Sequence, residues 1–458
     1  MDLFRKKEIQ DIASTDSGFT PCLSAIDLVF LGVGAVIGAG IFVLTGIAAA
    51  TLAGPAIVLS YVLAGFACAF AALSYAELAG AIGGCGSAYG YTYAGFGELF
   101  AWIIGWDLLL EYSISVSAVS VGWSGYFNDF LSAIHLKMPA LLLNAPRDGG
   151  MVNLSAVLII LLLGTLLIYG VKLSARFNNT MVIIKLLVIF LFIAIAMKEV
   201  NPQNWTPFLP FGWSGVIDGA SLIFFAYIGF DAVSTAAEEA INPQRSMPIG
   251  IIGSLLICTI LYIIVSGLLT GIVPYNRLNV SSPISNSLLL LGYHSAAAMV
   301  SVGAIAGLTT VMLVLYYGLS RVFFAMARDG LLPHYFSVLN PSTKTPLRII
   351  VTSGLLMALL AAFLPIHELA ELVNVGTLFA FISVCAGVIH LHYTRPDLHR
   401  SFKTPLMPVI PLLGILSCTY LFCHLPWVTL MRFLIWMVIG LIVYFCFSRN
   451  NSKLNSSL

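Results

Sequence analysis

Apolar runs of about 17 to 25 residues, long enough to cross a bilayer as helices, recur along the chain with short polar connections between them. They predict twelve spans, at roughly 27–50, 55–83, 98–127, 152–171, 180–199, 215–239, 248–273, 286–327, 348–364, 368–391, 407–425 and 427–447. Pro55 and Pro248 suit first turns of their helices, where a missing N–H costs nothing. The longest connections, near 128–151, 274–285 and 328–347, hold about 12 to 25 residues, too few for a separate soluble domain. The expectation is one all-α membrane domain, with a tail at 1–25 and another at 448–458.

Lysine and arginine in the connections set the orientation. With both termini in the cytosol, the inner side collects fifteen of them, including Arg5, Lys6, Lys7, Arg245, Arg321, Arg328, Arg400 and Lys453. The outer side holds Lys137, Arg147, Lys198, Arg277 and Arg432. One lysine, Lys185, belongs to neither side because it falls inside an apolar run.

Composition narrows the picture further. The 458 residues are 59% hydrophobic and 9% charged, which excludes a water-soluble globule. A formal net charge of +1 gives no basic surface for nucleic acid. The eight cysteines, at 22, 68, 85, 258, 385, 418, 423 and 446, stand singly and read as small core residues rather than metal ligands or disulfides. No HExxH, GxSxG or P-loop pattern is present, so neither a catalytic site, a cofactor nor a self-contained pump is indicated. The tail before residue 26 has no signal-peptide layout.

The first span contains "GVGAVIGAGIF", with Gly32, Gly34, Gly38 and Gly40. Each glycine costs a helix about 1 kcal/mol relative to alanine. Two readings stand: small residues that let helices pack closely, or a break between Val36 and Gly40 whose bare amides hold a carboxylate. Unwound backbone in a membrane needs a cavity to line, and transporters with inverted repeats pair one broken helix with another five spans later. The sixth span supplies a counterpart: in "FFAYIGFDAVSTAAEEAINPQR" Gly229 sits mid-span and Asp231 follows at once.

"GAVIGAGIFVLTG", "SYAELA", "GSAYGYTYAGFGELFAWIIGWDLLLEY", "FFAYIGFDAVSTAAEEAINPQRSMPIGI" and "RVFFAMARDGLLP" occur in that order over most of residues 25 to 400. In these motifs the chain resembles the cationic amino acid transporter branch, bacterial type, of the amino acid–polyamine–organocation superfamily. The resemblance implies a LeuT-type fold with a 5+5 inverted repeat, 26–199 and 200–400, whose helices 1 and 6 are broken, followed by helices 11 and 12 at 401–447. It implies secondary transport of amino acids, often proton-driven, in the bacterial inner membrane, with lipid, amino acid and protons as partners and room for a small single-span membrane partner.

An amino acid offers a carboxylate, an ammonium and a side chain. The backbone of Gly38, Ala39 and Gly40 is the candidate for the carboxylate. Carbonyls of Val36, Ile37, Phe225, Ala226 and Ile228 are candidates for the ammonium. Phe230, Ser115, Val119 and Leu315 are candidates for the side-chain end, though ordinary core packing explains the last three as well. The absence of an acid there favours neutral, alanine-like ligands over cationic ones. Lys185 either snorkels to the cytosolic end of its span or, under the resemblance, takes the place of a sodium ion and bonds carbonyls of the first span near Gly32 to Ala35. Glu111 and Asp231 are proton-relay candidates or plain bundle pairs. Glu77, Glu238 and Glu239, with Arg245, form either a cytosolic gate or a solvated helix end. Asp107 and Asp218 read as lying at or near helix ends. Symport of neutral or cationic amino acids is the leading expectation; exchange against another amino acid or a polyamine is the alternative.

Overall fold

The computed structural model describes residues 5–7, 21–82, 84, 86–133, 139–280 and 282–455. Cys85, Lys137, and most of the 1–25 tail lie outside them. The described residues form α-helices joined by short turns: α1 Ala25–Val36, α2 Ile57–Ala81, α3 Ala88–Gly95, α4 Glu98–Ala133, α5 Leu154–Ile168, α6 Val171–Glu199, α7 Gly212–Ile223, α8 Pro243–Ile272, α9 Pro283–Leu290, α10 His294–Arg328, α11 Leu347–Phe363, α12 Ile366–Thr394, α13 Val409–Cys423 and α14 Trp427–Val443. Among the described residues eight stretches are long and apolar enough to cross a membrane, one of them running from Ala25 to Ala81, and α5, α11 and α13 are shorter apolar helices.

Polarity is arranged for lipid outside and function inside. Leu162, Leu187, Phe190, Leu256, Leu355, Leu359 and Ile435 stay exposed on the outer faces, as apolar solvent permits. Asp107, Glu111, Lys185, Asp231, Glu239 and Arg321 are at most 2% exposed, so the charges point to the bundle interior. The helices pack as α2 on α8, α4 on α10 and α12, α1 on α8, and α6 on α10, so α1 is enclosed by its neighbours.

Several boundaries differ from the hydropathy reading. The run 286–327 is two helices, because Gly292 takes φ +85° and turns the chain between α9 and α10. α6 starts at Val171 rather than 180, since its polar first turns read as a connection. α8 starts at Pro243, which takes the first-turn position expected of Pro248. Asp107 lies nine residues inside α4 and is fully buried, not at a helix end, because α4 extends from Glu98 without interruption. Asp218 is exposed in the second turn of α7.

Candidate functional site

α1 opens on a capping box: the Ser24 hydroxyl accepts from Asp27 N–H at 3.3 Å and the Asp27 carboxylate accepts from Ser24 N–H at 2.9 Å. It stops at Val36. Ile37 is extended, with ψ 98°, and helical winding resumes at Gly40 through wider π-type turns. The glycines of this span both pack closely against neighbouring helices and flank the break at Ile37. A Cβ on Gly32 would lie 2.3 Å from Ser254 Oγ, on Gly34 2.4 Å from Asn178 Oδ1, on Gly38 2.4 Å from Val311, and on Gly40 2.2 Å from Ala226 Cβ. Close packing and the break coincide at one place.

The second break mirrors the first. α7 tightens into a 3-10 turn at Phe224–Tyr227, Ile228 is extended, Gly229 takes φ +119°, and a second 3-10 stretch runs over Asp231–Glu239. Only glycine adopts such a φ without strain. It also sits against the first break, where a Cβ would meet the Ala35 carbonyl oxygen at 3.0 Å. The two interruptions therefore touch, Gly40 against Ala226 and Gly229 against Ala35.

Freed carbonyls are the chief chemistry of this centre. Tyr262 of α8 places its hydroxyl 2.6 Å from the Val36 oxygen and 2.8 Å from the Ala226 oxygen, one from each break. A single hydroxyl proton cannot serve both fully. The Gly40 oxygen accepts from Thr45 at 3.0 Å and Tyr61 at 3.3 Å. The Phe225 oxygen accepts from Ile228 N–H at 3.3 Å. Tyr61, Tyr227 and Tyr262 pack their rings together beside these atoms.

Lys185 reaches the first break from α6. Its Nζ donates to the Gly34 oxygen, the Ile37 oxygen and Thr310 Oγ1, each at 2.9 Å. Three donors meet three acceptors, and the residue is fully buried. No carboxylate is among them. The expected anchor within Gly32 to Ala35 is Gly34, and Ile37 and Thr310 complete it.

Asp231 accepts from the Tyr112 hydroxyl at 2.6 Å and from Gly229 N–H at 3.2 Å, so it fastens the second break to α4. Glu111 and Asp107 make no hydrogen bond among the described residues. Phe230 is fully buried, 5.1 Å from the Phe381 ring and 6.0 Å from Tyr75, centroid to centroid. Ser115, Val119 and Leu315 are buried, and the Ser115 hydroxyl has no hydrogen-bond partner among the described residues.

At the face where the chain termini meet, the acids pair differently from the sequence reading. Glu238 pairs with Arg328 at 3.1 Å, Glu239 with Arg321 at 2.8 Å and Glu77 with Arg400 at 2.9 Å. Arg245 is exposed on the first turn of α8. The tails join in: Arg5 meets Glu98 at 3.0 Å and Lys7 meets Asp329 at 2.6 Å. Glu98 also accepts from Tyr93, Tyr444 and Ser452, and Lys453 N–H donates to the Asp329 carbonyl at 3.1 Å. A parallel bridge ties Leu23 to Ala240, joining the outer ends of the two broken helices.

Sequence reasoning missed Tyr262, Thr310, Arg321, Arg328 and Arg400. Arg321 and Arg328 carried a signal, standing seven residues apart near the end of a predicted span, on one helix face. Tyr262 and Thr310 carried none beyond being polar atoms inside apolar runs.

The sequence has known relatives. Residues 23–450 match the amino acid permease family. The chain is 51% identical, over 99% of both chains, to the branched-chain amino acid permease BcaP of Bacillus subtilis. It is 49% identical, again over 99% of both, to a methylthioribose transporter of the same organism. It is also 38% identical to human cationic amino acid transporter 4, covering 86% of this chain and 63% of the human one. Two touching helix breaks inside an apolar bundle, and a match over nearly the whole length, place this multi-pass membrane protein in the amino acid permease family.

Proposed function

We propose that the protein is a proton-coupled symporter of neutral amino acids with branched apolar side chains, working by alternating access in the bacterial inner membrane. With the run from Ala25 to Ala81 crossing twice and the three shorter apolar helices crossing too, the chain passes the membrane twelve times, both termini inside. Residues 26–199 and 200–400 form the inverted LeuT-type repeats, and the paired breaks are their first helices. The contact between those breaks carries the reading, Gly40 against Ala226 and Gly229 against Ala35. Main-chain amides at Gly38 to Gly40 receive the carboxylate, while carbonyls of Val36 and Ala226 receive the ammonium as it displaces the Tyr262 hydroxyl. No ionised side chain is needed at either pole of the zwitterion.

Lys185 supplies the coupling. Charged, it holds α1 to α6 and α10 through three bonds; on losing its proton to the cytosol it keeps two N–H donors and gains a lone pair that no acceptor welcomes, which loosens that grip, so substrate and proton leave together. The ion pairs Glu238–Arg328, Glu239–Arg321 and Glu77–Arg400 close the cytosolic side.

Purified protein in liposomes, offered labelled leucine, alanine, arginine and methylthioribose with and without an acid-outside gradient, tests this. Leucine accumulation that requires the gradient is the expected result. Equal leucine uptake without it, together with brisk counterflow, would establish the exchanger instead. The 49% identity to a methylthioribose transporter favours one second reading, uptake of that neutral thio-sugar. Preference for it over leucine would move the ligand off the zwitterion-binding backbone.

A further inference from the structure

Asp107, Glu111, Ser115 and Val119 recur at four-residue spacing on α4 and so share one of its faces. Asp107 and Glu111 are completely buried. They face α12 where Gly376 leaves space: a Cβ there would lie 2.7 Å from Asp107 Oδ1 and 3.6 Å from Glu111 Cβ. All four carboxyl oxygens lack a hydrogen-bond partner among the described residues. Thr377 stands beside Glu111, but its proton goes to the Val373 carbonyl at 3.1 Å, so it offers Glu111 only a lone pair. The Tyr75 hydroxyl, also fully buried and without a hydrogen bond, lies within electrostatic reach of Glu111 and Asp231.

Among the described residues no positive charge stands beside these two acids. On α10, Arg321 and Arg328 pair with Glu239 and Glu238, and His294 is exposed at the far end. On α14, Arg432 pairs with Glu368 of α12 at 3.1 Å. Arg348 of α11 donates to the Tyr335 carbonyl. His390 and His392 sit in the last two turns of α12, His390 with Lys6, while Glu371 at the other end accepts from Thr429. α5 brings no titratable group, and α3 brings only Tyr89, Tyr91 and Tyr93. A carboxylate sealed from water with neither donor nor cation takes up a proton. Among the described residues no three acids or imidazoles converge as metal ligands would. Asp231 shows the contrast, since its donors, Tyr112 and Gly229, suit a carboxylate.

We propose that Asp107 carries a transported proton of its own, distinct from the one on Lys185; the proposal rests on the proton-symport reading above. Asp107 lies one helical turn, about 6 Å, from Glu111 toward the Glu98 end. In the closed state each carboxyl holds one proton. When the bundle opens inward, the Asp107 O–H bond breaks and its proton passes to water. A water that enters on opening takes the Glu111 proton while giving one of its own to Asp107, re-forming that bond, and Glu111 is itself refilled by a proton entering from outside. One proton enters and one leaves per turnover, and both acids end as they began.

The test compares the parent with Asp107→Asn, which imitates the protonated acid in a place where no hydrogen bond is lost. Leucine accumulation in liposomes is measured at a series of imposed pH gradients, and proton uptake per leucine with an internal pH dye. The variant is expected to keep leucine counterflow within about twofold while the slope of log accumulation against ΔpH falls by about one, because each coupled proton adds one to it. The dye should register correspondingly fewer protons per leucine. An unchanged slope and proton count in the variant would overturn the proposal, as would loss of counterflow, which would make Asp107 part of the moving structure. A parent that shows no dependence on ΔpH would instead refute the symport reading itself.

Discussion

The Nζ of Lys185 lies 2.9 Å from the carbonyl oxygen of Ile37, the residue at which the first broken helix leaves α geometry. An ammonium thus stands where a backbone N–H would have continued the helix. Lys185→Met removes it and leaves the buried Ile37 carbonyl without its donor, at about 1–3 kcal/mol, while the Gly34 oxygen keeps the Thr310 hydroxyl at 3.0 Å. Gradient-driven leucine accumulation is expected to fall at least about tenfold, each 1.4 kcal/mol being a factor of ten. Uphill uptake by this variant equal to that of the parent would remove Lys185 from the coupling.

Tyr262 bridges the two breaks without a ligand, and an arriving ammonium competes with it. Tyr262→Phe should lower the thermal stability of the empty protein by about 1–3 kcal/mol. Leucine should then stabilise the variant more than the parent, because binding satisfies carbonyls that phenylalanine leaves bare. Melting curves with and without leucine decide it, and equal ligand shifts in both proteins would count against the displacement.

Glycines along the chain should divide by what surrounds them. Gly40→Ala drives a methyl to 2.4 Å from the Ala226 Cα, a backbone atom that cannot step aside, so leucine uptake should be lost. Gly125 of α4 has no neighbour within 4 Å of an added Cβ, and Gly125→Ala should retain uptake and gain up to about 1 kcal/mol of helix stability. Uptake by the two variants, normalised to surface expression, is the comparison; full activity in Gly40→Ala would show that the breaks need not touch.

The Arg321–Glu239 pair is buried on both sides, with side chains 2% and 3% exposed. Arg321→Ala leaves a buried carboxylate alone and should cost about 3–5 kcal/mol, whereas Arg321→Ala with Glu239→Gln should recover much of it. Efflux of preloaded leucine should quicken in the single variant, since the inner closure weakens. A double variant no more stable than the single one would mean that the pair contributes through packing rather than charge.

Much of this was legible in the chain. Hydropathy located the spans, because lipid demands apolar segments of fixed length, and the glycines together with Asp231 marked both interruptions. Boundaries failed where polar residues begin a helix, as in the first turns of α6, since a composition window reads a polar helical turn as a connection. The short α3 went unseen because tyrosines and glycines there read as a loop. Partners failed more widely: Glu77 finds Arg400, and Glu239 finds Arg321 instead of the nearby Arg245, because the folded bundle rather than proximity in sequence decides which charges meet. Asp107 was misjudged for the same reason, its burial being set by α12.

Arg5 and Ser452 share one carboxylate, Glu98, although they come from opposite extremities of the polypeptide. Anything that pulls on either extremity, an affinity handle, a fused fluorophore, a surface attachment, therefore tugs at Glu98, on the face that also carries the ion pairs of Glu77, Glu238 and Glu239. Rates measured on such fusions will carry an imprint of the attachment, and cleaving it off should change how readily the molecule turns toward the cytosol.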